Sequence, residues 1–155
     1  MSERTVRPFT PRQEKYIHVV TKIMSALTVW TYRASGGKIG GKFLRGAPVM
    51  LVTTTGCKSG KPRTAPLIYL ENGDDLVIVA SKGGVSHHPA WYRNMEANAD
   101  VEVEIGSERR EMRARRVSDE EKADLWPKLT QIYPDYDDYQ ARTDRNIPVM
   151  VLSPR

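Results

Sequence analysis

The most regular hydrophobic pattern lies near the N-terminus. Between Pro11 and Ala34, Tyr16, Val20, Ile23, Leu27 and Trp30 recur every three or four residues. This spacing predicts a helix over 11–34 with one apolar face. Arg12, Lys15, His18 and Lys22 give it a basic polar side. Such a helix either packs on its own domain or lies on an anionic membrane surface. Its most apolar part, 16–30, is broken by His18, Lys22 and Ser25, and is shorter than the roughly 20 apolar residues a bilayer span needs. SGGKIGG (35–41) reads as a flexible connector. Beyond it the period changes to two. PVMLVTTT (48–55) predicts a mostly buried strand, and LIYLENGDDLVIVAS (67–81) a hairpin around Asn-Gly-Asp. VEVEI (101–105) and REMRARRV (110–117) predict strands joined at Gly106 and Ser107, and IPVMVL (147–152) a last strand. HPAWYRNMEAN (88–98) predicts a short helix with Pro89 near its first turn. Ser118 and Glu121 have the spacing of a capping box that opens a helix running to about Tyr133, kinked at Pro127. About six strands joined mostly by short turns lack the strand–helix alternation of a parallel sheet. The order predicts an α+β fold: an antiparallel β-barrel with peripheral helices.

Composition narrows this picture. With 155 residues, the chain suits one domain over 1–155, with 1–10 as a disordered tail. The one cysteine, Cys57, excludes an internal disulfide framework and a cysteine-based metal cluster. No stretch has the form of a secretory signal, so a cytoplasmic place is expected, peripheral on the inner membrane face if the first helix docks. A net charge of +5 favours anionic partners without choosing among them.

Three stretches carry candidate chemistry. TTTGCKSGKPRTAPL (53–67) joins two glycines to Lys58, Lys61 and Arg63. Glycines let backbone approach a ligand closely, and the cations suit phosphate or carboxylate. The plain alternative is a solvated turn. VASKGGVSHHPAWYRN (79–94) leaves a strand through Ser81, Lys82 and two glycines and enters a helix carrying Trp91. Two anion-friendly loops in one small domain suggest one polyanionic ligand, though neither matches a P-loop or a dinucleotide fingerprint. Tyr133, Tyr136 and Tyr139 are spaced by three; they either cover core or form a mobile lid over a flat ligand. His87 and His88 are adjacent, have no evident third ligand, and point to no metal. No nucleophile elbow is present. Polyanion grip with little covalent machinery suits a redox protein whose cofactor carries the chemistry.

Taken in order, TTTGCKSGKPRTAPL, VASKGG, HPAWYRN and YPDYDDYQARTDRNIPVMVL resemble the deazaflavin-dependent nitroreductase family of mycobacteria and related actinobacteria, over residues 28 to 154. The resemblance implies a split β-barrel and coenzyme F420, a deazaflavin whose tail carries a phosphate and several glutamates. It implies that Lys58, Ser59 and Arg63 bind that tail, with Lys82 and the backbone near Gly83. It places Pro66, Trp91 and Asn94 in the same groove, Ser81 beside the ring, and Ile68, Tyr133, Tyr136 and Tyr139 on the substrate side. The implied reaction is hydride transfer from reduced F420 to a quinone, nitroaromatic or activated enone. Ser81 or a tyrosine, Tyr133 or Tyr136, would donate a hydrogen bond to the reduced acceptor. The sequence departs from the family pattern at Cys57, where many relatives carry an arginine or another residue, and at Ile68, where some carry tyrosine. Tyr69 comes one residue later, and on a strand that sends its side chain to the opposite face. The resemblance leaves room for an FMN-binding oxidoreductase of the same fold, or a non-catalytic deazaflavin carrier. Nucleic acid is disfavoured because the aromatics are not interleaved with the cations. The state is either monomer or homodimer.

Overall fold

The structure, a computed structural model, describes residues 6–43 and 46–155. The expected tail 1–10 falls partly outside them; residues 6–10 are described, with Phe9 stacked 4.3 Å under the Arg142 guanidinium. Helix α1 spans Pro11–Ser35. Thr10 and Gln13 close a reciprocal capping box at its start, and Gly36 ends it in the left-handed conformation. Seven strands follow: β1 Val49–Thr55, β2 Pro62–Ile68, β3 Leu70–Asn72, β4 Asp75–Val79, β5 Asp100–Ile105, β6 Glu108–Arg116 and β7 Val149–Pro154. Between them lie helices α2 Ala90–Ala97, α3 Asp119–Ile132 and α4 Asp135–Arg142.

All the strands belong to one antiparallel sheet in the order β2-β1-β5-β6-β7-β4-β3. Its two end strands, β2 and β3, are separated in the chain by Tyr69 alone. The sheet therefore curls until its ends meet in one bent run of backbone, giving the expected barrel. Alternation sorts the side chains. Met50, Val52, Leu76, Ile78, Met112, Met150 and Leu152 fill one core with Tyr69, Tyr92 and Met95. Val77, Val79, Val149 and Val151 point the other way and are covered by Leu125 and Leu129 of α3 and by Tyr133 and Tyr136.

The sequence reading missed β2, because Pro62 and Pro66 argue against a strand. Both are tolerated because β2 pairs on one side only, with β1, so the missing N–H groups interrupt no second ladder. The glycines of 35–41 are not a flexible connector. A Cβ on Gly37 would stand 2.7 Å from Gly106 Cα, so they let two turns touch backbone to backbone. Ser118 caps α3 by accepting from the Glu121 N–H, but the Glu121 carboxylate pairs with Arg115 instead of closing the box.

Helix α1 corrects the simpler of its two readings. It does not bury its apolar face on its own domain. Tyr16, Ile23, Leu27 and Trp30 are 71%, 58%, 57% and 70% exposed. The inward side is instead Glu14, Ile17, Ser25, Thr28 and Tyr32. Buried Tyr32 donates to the Glu104 carbonyl at 3.2 Å and accepts from the Gly106 N–H at 2.8 Å. Arg33 grips the buried Glu104 carboxylate in a fork at 3.2 and 2.8 Å.

Candidate active site

Strand direction brings the two cationic loops together. Four antiparallel pairings lead from β1 through β5, β6 and β7 to β4, so β1 and β4 point the same way. The loops that follow them, 56–61 and 80–88, leave from the same end of the barrel. Helix α2 ties them. It grows out of the second loop, and its buried Asn94 accepts from the Cys57 N–H at 3.0 Å and donates to Thr54 Oγ1 at 2.9 Å. Asn94, expected in the cofactor groove, thus spends both ends of its amide holding the first loop in place. Trp91 packs, half-buried, against the barrel core.

The first loop is a compact turn. The Gly60 N–H donates to the Gly56 carbonyl, the Gly56 N–H to the Lys61 carbonyl, and the Lys61 N–H to Ser59 Oγ. A Cβ on Gly56 would fall 2.7 Å from Ser59 Oγ, so a larger residue there would turn the Ser59 hydroxyl out of the loop. Lys58, Lys61 and Arg63 are exposed, and among the described residues none has an acidic partner. Pro66 and Ile68 are half-buried on β2, and Ile68 packs toward α3 and α4 while Tyr69 turns into the barrel. The one-residue offset therefore separates the two faces as strand geometry requires.

The second loop is strained and clamped. Lys82, Gly83 and Gly84 form a single 3₁₀ turn with φ of 44°, 66° and 81°. For lysine this is an uncommon conformation. A Cβ on Gly84 would meet the Tyr139 carbonyl at 2.6 Å, so glycine allows α4 to lie directly on the loop. Two arginines hold it. Arg142 donates to the Gly83 carbonyl at 2.6 Å. Arg145 donates to the carbonyls of Ala80 (3.1 Å), Ser81 (2.7 Å) and Val85 (2.8 Å), and lies 3.0 Å from His88 Nδ1. Neither arginine was singled out in the sequence, because a cation that binds carbonyls has no spacing signature. The Ser81 side chain is buried, yet its hydroxyl has no hydrogen-bond partner among the described residues and is not sealed from the surface. Burial pulls the Lys82 ammonium below its usual range; its Nζ lies 3.1 Å from His87 Nε2 and 3.3 Å from His18 Nδ1.

The three tyrosines cluster, though not on one helix. Tyr133 caps the end of α3, while Tyr136 and Tyr139 lie on α4. Tyr133 and Tyr136 are buried, with their rings 5.0 Å apart edge to face, and only Tyr139 stays part-exposed. Tyr133 and Tyr139 share a hydrogen bond at 2.7 Å. Burial drives the Tyr133 and Tyr136 hydroxyls far above the ordinary phenol range. They stay protonated at any physiological pH and can donate hydrogen bonds but not act as bases.

These residues fit an acidic ligand: cations on the first loop and the start of β2 without an acidic partner among the described residues, a glycine-built turn on the next loop, and a Ser81 hydroxyl without a partner among them. A cavity of about 320 Å³ lies apart, among Glu71, Arg110 and Met112, and another of about 230 Å³ lies beside the base of the first loop, among Thr55, Pro62, Asn98 and Glu111. Comparison with known proteins gives the family. Residues 24–154 match the model of the F420H(2)-dependent quinone reductase family. An F420H(2)-dependent quinone reductase of Mycobacterium tuberculosis is 42% identical over 127 residues, 80% of this chain and 85% of that protein. The solved F420-H2 dependent reductase FDR-A superposes with a TM-score of 0.63 at 43% identity, over 68% of this chain and 94% of its own. A structure described as a domain-swapped dimer gives 0.66 at 38% identity, over 82% and 96%. The chain belongs to the F420H(2)-dependent quinone reductase family.

Proposed function

We propose that this chain is an oxidoreductase that uses reduced coenzyme F420 to reduce an electron-poor acceptor, a quinone before a nitroaromatic or an enone. The observation that carries the reading is that Lys58, Lys61 and Arg63, without an acidic partner among the described residues, share one end of the barrel with the clamped Ser81–Gly84 turn. When bound, F420 would supply a hydride. Lys58, Ser59 and Arg63 would hold its anionic tail, joined by Lys82 and the backbone around Gly83, with Pro66 and Trp91 as apolar walls. The Ser81 hydroxyl is free to donate to the ring or to the acceptor's oxygen. The hydrogen-bonded Tyr133–Tyr139 hydroxyls offer a second donor, and a preorganised donor stabilises charge as it develops on the acceptor. Ile68 and Tyr136 shape the substrate side and help exclude water. Steady-state oxidation of reduced F420 by a menaquinone analogue, beside titration with oxidised F420, tests this. Binding without turnover for any acceptor would leave a carrier; no binding would end the reading, and FMN would be tested next.

The docking of α1 belongs to the same proposal. Its apolar face looks outward, Arg12, Lys15 and Lys22 flank it, and its single acidic residue, Glu14, is turned inward. This charge arrangement favours an anionic bilayer, where an apolar quinone would partition. No described helix is long and apolar enough to cross a membrane. Flotation with vesicles containing phosphatidylglycerol, but not with phosphatidylcholine alone, is expected. A stable dimer that does not float would assign the face to a second copy instead.

A further inference from the structure

Glu14 makes contacts that neither packing nor the proposed reaction requires. Its Oε1 accepts from the Ser86 N–H at 2.7 Å and its Oε2 from the Ser86 hydroxyl at 2.8 Å. His87 Nδ1 stands 3.8 Å from Oε2, and the Glu14 side chain is only 16% exposed. One helical turn later, His18 meets Lys82 Nζ, which also meets His87. The first turns of α1 therefore occupy two things at once: a backbone-and-hydroxyl donor pair on the second loop, and the cation that loop offers. The donors hold the Glu14 carboxyl below its ordinary range, the backbone N–H contributing most. At its other end α1 is pinned by Tyr32 and Arg33, and Arg33 reaches Thr64 on β2 at 3.5 Å. From Glu14 to Arg33 the helix covers about 28 Å at about 1.5 Å per residue. It runs from the second loop to the strand that follows the first.

We propose that Ser86, His87 and Lys82 form a seat for an oxyanion, a carboxylate or phosphate, and that Glu14 fills this seat from within the chain. An anionic group of the bound cofactor then displaces the first turns of α1 to enter. The identity of the entering ligand rests on the functional reading above; the seat rests on the contacts alone. An internal occupant lowers apparent affinity by the fraction of molecules in which it is engaged. Losing two charge-assisted bonds should therefore tighten F420 binding roughly three- to thirty-fold in Glu14→Gln and Glu14→Ala.

The test pairs F420 titration with amide hydrogen exchange over residues 11–20, on the full chain. Tighter binding by both variants supports the seat, as does exchange at 11–20 that F420 accelerates in the wild type and that is already fast in the unliganded variants. Variants that bind F420 equally or more weakly overturn it, and so does wild-type exchange that F420 leaves unchanged. If no form binds F420, the functional reading has failed, and inorganic pyrophosphate becomes the probe. Faster exchange at 11–20 on adding pyrophosphate then keeps the seat, and unchanged exchange overturns it.

Discussion

Replacing Arg145 with methionine should damage both stability and cofactor binding, because one guanidinium holds the whole turn that presents Ser81. Its three nitrogens serve the carbonyls of Ala80, Ser81 and Val85 and the His88 ring. No carboxylate pairs with it among the described residues, and burial pulls its pKa below the usual arginine value. Methionine keeps much of the apolar stem but leaves these acceptors without their donor. Hydrogen bonds from a charged donor contribute about 1.5–3 kcal/mol each, but they share one side chain and water partly replaces it, so the net loss is about 2–4 kcal/mol. For a chain of this size that lowers Tm by roughly 6–12 °C. The Ser81–Gly84 turn, left-handed at three residues, would relax, and the F420 Kd should rise about tenfold or more. Arg145→Lys keeps the charge but not the fork, so it should recover less than half of either loss. Thermal unfolding followed by circular dichroism, together with F420 titration, reads both. A methionine variant within 2 °C of wild type, or a lysine variant equal to it, would refute the clamp.

Asn94→Leu removes the bridge between α2 and the first loop; it should cost about 1–3 kcal/mol and raise the F420 KM more than it lowers kcat, as steady-state kinetics would show. Gly84→Ala puts a methyl 2.6 Å from the Tyr139 carbonyl at φ +81°, so α4 must shift; Tm and F420 affinity should both fall, measured as for Arg145. Burial first, then Lys82 beside His87 and Arg145 beside His88, holds both imidazoles below their usual pKa. The unfolded chain therefore takes up protons first, near pH ~6.5, so stability is lost as pH falls below that value and levels off once the folded-state values are passed. The urea midpoint should drop between pH 7.5 and 5.5 in the wild type, and less in a His87→Gln, His88→Gln double variant.

Much of the barrel is legible in the sequence because its signals are local. Alternation in VEVEI and the Asn-Gly-Asp turn each specify a strand or a hairpin without reference to the rest of the chain. Strand β2 is not legible, because its prolines are permitted only by an edge position that the topology decides. The outward apolar face of α1 is equally hidden: periodicity marks the stripe from Tyr16 to Trp30 but cannot say which side meets the domain. Tyr32 and Arg33, reaching β5 some seventy residues away, settle that. In the site, the exposed cations Lys58 and Arg63 stand out by composition. The residues that shape it do not, since Arg145, Arg142 and Glu14 act on backbone carbonyls, N–H groups and a serine far away in sequence.

The decisive measurement is a single-turnover mixing experiment. Reduced F420 bound to the wild-type chain, and to a Lys58→Ala, Arg63→Ala double variant, is mixed with a menaquinone analogue while the oxidised deazaflavin absorbance is followed. Rapid oxidation by the wild type, with a variant that needs much more cofactor but turns over at a similar saturated rate, is the predicted result. Oxidation no faster than without protein, or a variant with unchanged cofactor demand, would contradict the assignment of this end of the barrel as an F420 site.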